Sequence, residues 1–369
     1  MNNVYAPGEN VTDKVYDLEQ NYSHAFIGTI ANVSKKELAY LHKVELKNNT
    51  VDKQLSGIPT CDRTDDYIGW WAGEYNASGY DHASKVIVDG VEKDRWIEVK
   101  RLVKSLKEGG DVIVWRNYDL TKWPETTLDG EQIVENPIEI TKQTNITIKK
   151  GAIWTVGKQQ LVNKSELNIK SEGVMTATDY IIMNEGGATL NIESGTFTST
   201  KATDINGVVI YNQGICHITG GTFDGQGFTL MNTGNANMTI DGGWVKNGGK
   251  GTSYALMGAG GGVNITINGG KIEALQSIGG ALVTINGGTV VNDTQQYYAI
   301  YNEGGNTVVN GGFICGAPGC VDVYIKGGKV DIKGGFFEDN KAEAAQGFVY
   351  KEKKQTVDGV TYNWEVVAE

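Results

Sequence analysis

The sequence predicts an all-β chain wound as a parallel β-helix solenoid, and three observations predict it. The first is composition: 50 glycines stand against 5 prolines, in a chain rich in Thr, Val and Ile. Such a chain reads as many short strands joined by tight turns. The second is repetition. One phrase returns as "LNIESGTF" from Leu190, "CHITGGTF" from Cys216, "MTIDGGWV" from Met238, "ITINGGKI" from Ile265, "VTINGGTV" from Val283, "TVVNGGFI" from Thr307, "VYIKGGKV" from Val323 and "VDIKGGFF" from Val330. A second phrase precedes four of the copies: "IMNEGG" from Ile182, "IYNQG" from Ile210, "LMNTG" from Leu230 and "IYNEGG" from Ile300. The third is alternation with period two inside the phrase, the mark of a strand with one dry and one wet face.

The dry positions are consistent from copy to copy. One series reads Ile192, Ile218, Ile240, Ile267, Ile285, Val309, Ile325 and Ile332, and a second reads Leu190, Cys216, Met238, Ile265, Val283, Thr307, Val323 and Val330. Beyond the glycines stand Phe197, Phe223, Val245, Ile272, Val290, Ile314, Val330 and Phe337. No copy can bury its dry face alone, but copies stacked like over like can, which is the logic of a solenoid. The corner glycines Gly195, Gly221, Gly243, Gly270, Gly288 and Gly312 recur at intervals of 18 to 27 residues. Three short strands and three turns need about that length. Neither the leucine framework of leucine-rich repeats nor helical periodicity is present.

Each feature of the phrase has a physical purpose. Asn268, Asn286 and Asn310, with Asp241 in the same place, predict a ladder of side-chain hydrogen bonds from coil to coil. The glycines that follow permit positive φ at the corner. "VYIKGGKVDIKGGFF" repeats after only seven residues, so its two copies are expected on successive faces of one coil. Residues 111–337, all in coil, would make about 9 coils and a shaft on the order of 45 Å.

The ends differ in character. Residues 97–110, "IEVKRLVKSLKEGG", read as an amphipathic capping helix stopped by Gly109, with the coil beginning at "DVIVWRNYDL". Residues 338–369 contain a β-hairpin turning at Asp358-Gly359, expected to cap the far end or to pair with neighbouring subunits. Residues 1–96 lack the repeat and read as a separate anchoring region, α+β or β-rich. Within it lie a hairpin at Asp89-Gly90 and a helix near "SKKELAYLHKVEL".

Several functional classes are disfavoured. A net charge of −11 argues against nucleic acid, whose phosphates want a basic face. No run of 18 apolar residues exists, so no membrane span is expected. The start, "MNNVYAPGENVTDKVYDLEQ", has no secretory signal pattern, and no wall-sorting signature closes the chain. Cys61, Cys216, Cys315 and Cys320 read as structural thiols, with a Cys315–Cys320 disulfide as the alternative. "CDRTDD" lacks the calcium-loop pattern and "GAGGG" lacks a phosphate loop's lysine, so no metal or cofactor is expected.

The run from "LVKSLKEGGDVIVWRNYDL" through "ITKQTNITIKKGAIWTV" to "GGFFEDNKAEAAQGFVYKEKKQTVDGVTYNWEVV" resembles the pectate-lyase-like right-handed parallel β-helix repeats of phage fibres or spikes and of gut bacterial surface adhesins. The resemblance covers roughly residues 100–369. It implies a right-handed shaft and, with no export signal, a virion protein assembled in the host cytoplasm and exposed on the particle. By the same resemblance the chain is expected to be a homotrimeric projecting fibre or spike, a head fibre or capsid decoration in preference to a tail spike. Residues 1–96 would bind capsid or tail proteins, and the shaft would adhere to cell-surface or mucus glycans. The alternatives are a polysaccharide depolymerase spike and a bacterial surface adhesin.

Chemistry on such a shaft would need paired outward carboxylates. The outward acids Glu193, Asp224, Asp241, Glu273 and Asp331 are sparse, and only Glu193 and Asp241 fall loosely in one row. The chain is therefore expected not to be an enzyme. The outward aromatics stand out instead. Trp244 and Phe313 occupy positions that are Thr or Lys in other copies, and Tyr297, Tyr298 and Tyr301 cluster in sequence. They are the candidates for stacking on glycans or for a subunit interface, against the alternative that a loop or the tail covers them.

Overall fold

A computed structural model describes residues 105–369, apart from 115–117, 120–126, 129–130, 133–136, 158–159, 179, 201–206, 248–253 and 293–296. In residues 1–104 it describes only the strands Val4–Tyr5, Thr50–Val51, Lys85–Val88 and Val91–Asp94. The chain divides into two compact units, Met1–Arg101 and Leu102–Glu369. In the first, Lys85–Val88 and Val91–Asp94 pair antiparallel, as expected of the hairpin at Asp89-Gly90. The helix expected near "SKKELAYLHKVEL" and the "CDRTDD" segment lie outside the described residues.

The second unit is a parallel β-solenoid of about eight turns between residues 138 and 337. Each coil lays one strand on each of three faces. On face 1, Thr144–Ile148 pairs with the start of Glu166–Ala177, and the column continues through Ile215–Ile218, Asn237–Ile240, Asn264–Ile267 and Leu282–Ile285. On face 2, Thr222–Gly225, Trp244–Asn247, Lys271–Glu273, Thr289–Val291, Phe313–Cys315 and Gly335–Phe337 stack in order. Face 3 carries Ile138–Ile140, Leu161–Asn163, Ile182–Asn184, Ile210–Asn212, Leu230–Asn232, Leu256–Ala259 and Leu275–Ile278. Its last two members are the leading parts of Ile300–Val309 and Val323–Ile332.

Registered pairing puts like over like in the core. Ile146, Ile169, Ile192, Ile218, Ile240, Ile267, Ile285, Val309 and Ile332 form one buried column. On face 2, Phe197 stacks on Phe223 with centroids 5.0 Å apart and planes at 6°. Cys216 is buried in the face 1 column, and its thiol is pushed up to about 12 by burial, which makes it a small apolar filler. Cys315 and Cys320 are thiols, unjoined.

One copy of the phrase is corrected. Val323 pairs with Ile300 and Ile325 with Asn302, so "VYIKGGKV" belongs to face 3 and aligns with "IYNEGG". Val330 and Ile332 take the face 1 positions over Thr307 and Val309. The two seven-residue copies do lie on successive faces of one coil. Ile325, expected in the core, is 44% exposed, because the inward position it inherits is an asparagine's and no further coil covers it.

Three side-chain ladders run along the coil. The expected one is present: Asn268 donates to Asp241 (2.8 Å), Asn286 to Asn268 (2.9 Å) and Asn310 to Asn286 (2.9 Å). A second exposed ladder joins Asn191, Asn168, Asn145 and Asp111 on face 1. Each exposed ladder starts on an aspartate, which only accepts, and so every amide points its donor toward the N-terminal coil. The third is buried and was not foreseen. Asn163 donates to Asn184 (2.7 Å), Asn184 to Asn212 (2.8 Å) and Asn212 to Asn232 (2.9 Å), in the opposite direction. It ends where position 258 is glycine, and Asn232 donates to the Met257 carbonyl instead (3.2 Å). These residues read in sequence as turn formers; they turn inward because the face 3 to face 1 corner has carbonyls to satisfy, such as Thr189 O and Ile215 O.

The hairpin expected at the C-terminal end is present, and a short helix precedes the first coil. Ser105–Glu108 is helical, Leu106 is fully buried, and Gly109 stops the helix with φ of +78°; positions 97–104 lie outside the described residues. Ahead of the solenoid, the strand Gly110–Val114 pairs with Thr144–Ile148 of face 1. At the far end, Phe348–Val357 and Val360–Ala368 form the hairpin, turning at Asp358 and Gly359 with φ of 51° and 82°. Its second strand pairs antiparallel with Gly335–Phe337 and so caps face 2.

Two predictions follow from this packing. At Gly270, φ is +81° and a Cβ would sit 2.7 Å from the Gly243 carbonyl, whereas Gly234 (φ +67°) faces open space. In urea denaturation Gly270→Ala should cost about 3 kcal/mol or more and Gly234→Ala about 1 kcal/mol. Asn184→Ala strands buried partners on two sides and should cost about 2–4 kcal/mol, while Asn286→Ala on the exposed ladder should cost under about 1 kcal/mol.

Candidate functional site

The outward side chains of face 3 form a single row: Glu139, Val162, Met183, Tyr211, Met231, Met257, Gln276, Tyr301 and Tyr324. A tyrosine just before a strand folds against this row in several coils. Tyr180 meets Tyr211 edge to face at 5.9 Å. Tyr254 stacks on Tyr301 at 5.5 Å. Tyr298 stacks on Tyr324 at 4.4 Å with planes 9° apart, and on Tyr301 at 6.1 Å. Tyr301 and Tyr324 are 5.7 Å apart and 6° from parallel. Four near-parallel rings thus converge at the C-terminal end of face 3.

The stack has a graded environment. Tyr254 is 6% exposed, and its hydroxyl is pushed well above the usual tyrosine range, first by burial and then by the surrounding phenols. Tyr298 is shifted in the same direction, chiefly by desolvation. Tyr324 is 39% exposed. Beside the rings, Lys326 pairs with Glu303 at 2.5 Å, next to the Tyr301 phenol. The lysine beside Glu303 holds its carboxyl below the ordinary range, and Glu303 raises Lys326.

The expected aromatic residues therefore separate into three places. Tyr298 and Tyr301 belong to the stack. Tyr297 is half-buried beside it, and its carbonyl accepts from Ala317 N (2.9 Å). Trp244 lies on face 2, where Lys246 and Lys271 stand over its ring at 4.0 and 5.1 Å and Nε1 donates to Glu273 (2.8 Å). Phe313, in the same column, lies under the hairpin, stacked on Phe336 at 5.2 Å and tilted against the buried Tyr362 at 5.1 Å. Tyr254, Tyr324 and the Glu303–Lys326 pair were not foreseen. Aligning "VYIKGG" with "IYNEGG" places Tyr324 over Tyr301, and that was the available signal.

The acids are mostly committed to neighbours. Glu193 pairs with Lys170 at 2.6 Å, Asp331 with Lys329 at 2.7 Å, and Asp241 accepts from Asn268. Glu273 is corrected from outward to buried: it is 7% exposed, accepting from Trp244 Nε1 and Asn247 N, because Ala274 (φ 66°) turns the chain there. A groove of about 420 Å³ lies on face 1 over four coils. Its polar lining includes Asn168, Lys170, Asn191, Glu193 and His217.

A second acidic group closes the C-terminal end. Asp322, Glu338 and Asp339 have carboxylate oxygens within 4.8 Å of one another. Asp322 is 1% exposed and accepts from Gly316 N (2.8 Å) and Asp339 N (2.9 Å), while Asp339 accepts from Asp322 N (3.2 Å). The arrangement is a reciprocal clasp between the last coil and the segment leading to the hairpin, and we assign it a structural role. Burial pushes the Asp322 carboxyl up to about 7; Asp339 and Glu338 add to the rise, and the two backbone N–H groups oppose it.

No family model, curated protein or solved structure matches the chain.

The clasp carries a pH prediction. With its folded value near 7 and a reference value of 3.8, Asp322 makes the folded state bind more protons between those limits. Stability should therefore fall as pH rises from about 4 to about 7, by up to about 4 kcal/mol. In thermal melts across that range, Asp322→Asn should flatten the slope relative to the parent chain.

Proposed function

We propose that the chain is a non-catalytic fibre or spike subunit of a phage particle. Residues 1–96 attach it to capsid or tail proteins, and the solenoid projects as a homotrimer that adheres to glycans. The tyrosine stack at the last coils of the shaft carries the adhesion part of this reading. Flat aromatic rings beside a carboxylate and an ammonium group suit a ligand with apolar C–H faces and polar hydroxyl edges. The commitment of Glu193, Asp241, Glu273 and Asp331 to neighbouring groups supports a non-catalytic shaft, since glycoside hydrolysis asks for two available carboxylates. The virion assignment rests on the sequence resemblance and on a repeat-free N-terminal segment preceding the coil.

One observation favours a second reading, a depolymerase. The face 1 groove brings His217, Lys170 and Glu193 together over successive coils.

The test joins assembly and activity. Native mass measurement of the full chain should give a trimer, and the purified protein should bind immobilised polysaccharides while leaving their solution viscosity unchanged. A monomer would overturn the trimeric fibre. A fall in viscosity, abolished by Glu193→Gln, would establish the depolymerase.

A further inference from the structure

The tyrosine stack has an end, and the end is open. Tyr298 and Tyr301, the rings that lie against Tyr324, both come from the coil before it. Val323–Ile332 is the last strand of face 3, so among the described residues no ring covers the other side of Tyr324. That ring is 39% exposed, and the neighbouring Ile325 is 44% exposed. Lys326, two residues on, stands at a register shift of the strand and pairs with Glu303, which sits one coil back. The end of the row is therefore one flat apolar ring, backed by stacked rings, with an acceptor and a donor beside it.

We propose that the open face of Tyr324 is a subsite for one neutral hexopyranose ring at the end of a glycan. The sugar stacks its C–H face on the phenol and turns hydroxyls to Glu303 and Lys326. This rests on the glycan-adhesion reading above and names its site and ligand. The ring size matches a single pyranose, and a hydroxyl can both donate to the carboxylate and accept from the ammonium group. Neutrality follows from charge. The Glu303–Lys326 pair cancels itself, and a chain of net charge −11 repels an acidic sugar. A protein partner fits less well. A stable interface needs roughly 800 Å² per partner, and the hairpin strand closing this end of the unit exposes Lys351, Lys353 and Lys354, the kind of edge that discourages pairing.

The test titrates the full chain with cellotetraose, β-1,4-galactotetraose and mannotetraose, and with tetragalacturonate as the acidic counterpart. Calorimetry reads affinity, and saturation-transfer NMR reads which sugar protons touch the protein. The expected result is binding of at least one neutral tetramer, with transfer strongest at the C–H protons of a terminal ring. Tyr324→Ala should weaken it at least fivefold, Tyr324→Trp should retain it, and Lys170→Ala in the face 1 groove should leave it unchanged. Thermal melts check that each variant is folded, and the proton map in the parent chain needs no variant. Neutral-sugar binding that survives Tyr324→Ala, or falls with Lys170→Ala, overturns the subsite and leaves glycan adhesion standing. Binding of tetragalacturonate alone also overturns it. Binding of none of the four overturns the subsite; a parent chain that also ignores the immobilised polysaccharides overturns the adhesion reading with it.

Discussion

Each coil satisfies its backbone through the coil before it and the coil after it, and this dependence governs the rest of the molecule. A parallel strand of three or four residues has no partner within its own coil. Its N–H and C=O groups are paired only if the next coil returns to the same place about 4.8 Å away. The requirement is hardest at the corner after face 1. There Gly243, Gly270 and Gly288 have φ of +90°, +81° and +76°, and a side chain on any of them would run into the glycine carbonyl one coil below. Glycine at this corner lets two backbones approach and lets the chain turn without strain. Loops elsewhere can vary in length because they do not enter the stack.

The same registry turns single polar residues into ladders. One asparagine on a strand face would gain little. Three in a column, ended by Asp241 or Asp111, form a chain of hydrogen bonds with a direction set by the carboxylate. The buried ladder from Asn163 to Asn232 has a different role. It lines the inside of the corner, where its amides donate to the carbonyls of Thr189 and Ile215 at the start of the face 1 strands. The exposed ladders help hold alignment on a solvated face, whereas the inner one removes the cost of buried backbone groups.

Registry also explains why the candidate site is at the end of face 3. In the outward row of face 3, among the described residues, only the last two coils place aromatic residues in register, Tyr301 under Tyr324. Tyr254 and Tyr298 reach the stack from the segments that enter face 3. A solenoid leaves its final coil without a cover, and the chain supplies one unevenly. The hairpin covers face 2, and the Asp322–Asp339 clasp ties the segment before it to the last coil. Face 3 keeps an exposed ring, so the chemistry available there comes from where the repeat stops.

The sequence by itself determined the strands, the corners and the exposed ladder. Alternation in "ITINGGKI" and "VTINGGTV" selects which side chains are buried, and Gly-Gly after Asn can only be a corner. Asp358-Gly359 likewise encodes the hairpin, since both are local signals. Tertiary structure alone decided which segments become neighbours across coils of unequal length. That choice put "VYIKGG" on face 3 and not on face 1, and with it placed Tyr324 over Tyr301 and left Ile325 outside the core. It also turned Asn163, Asn184, Asn212 and Asn232 inward, and brought Asp322 to Asp339. These features depend on alignment between coils, and a shift of one residue moves a side chain to the other face of its strand.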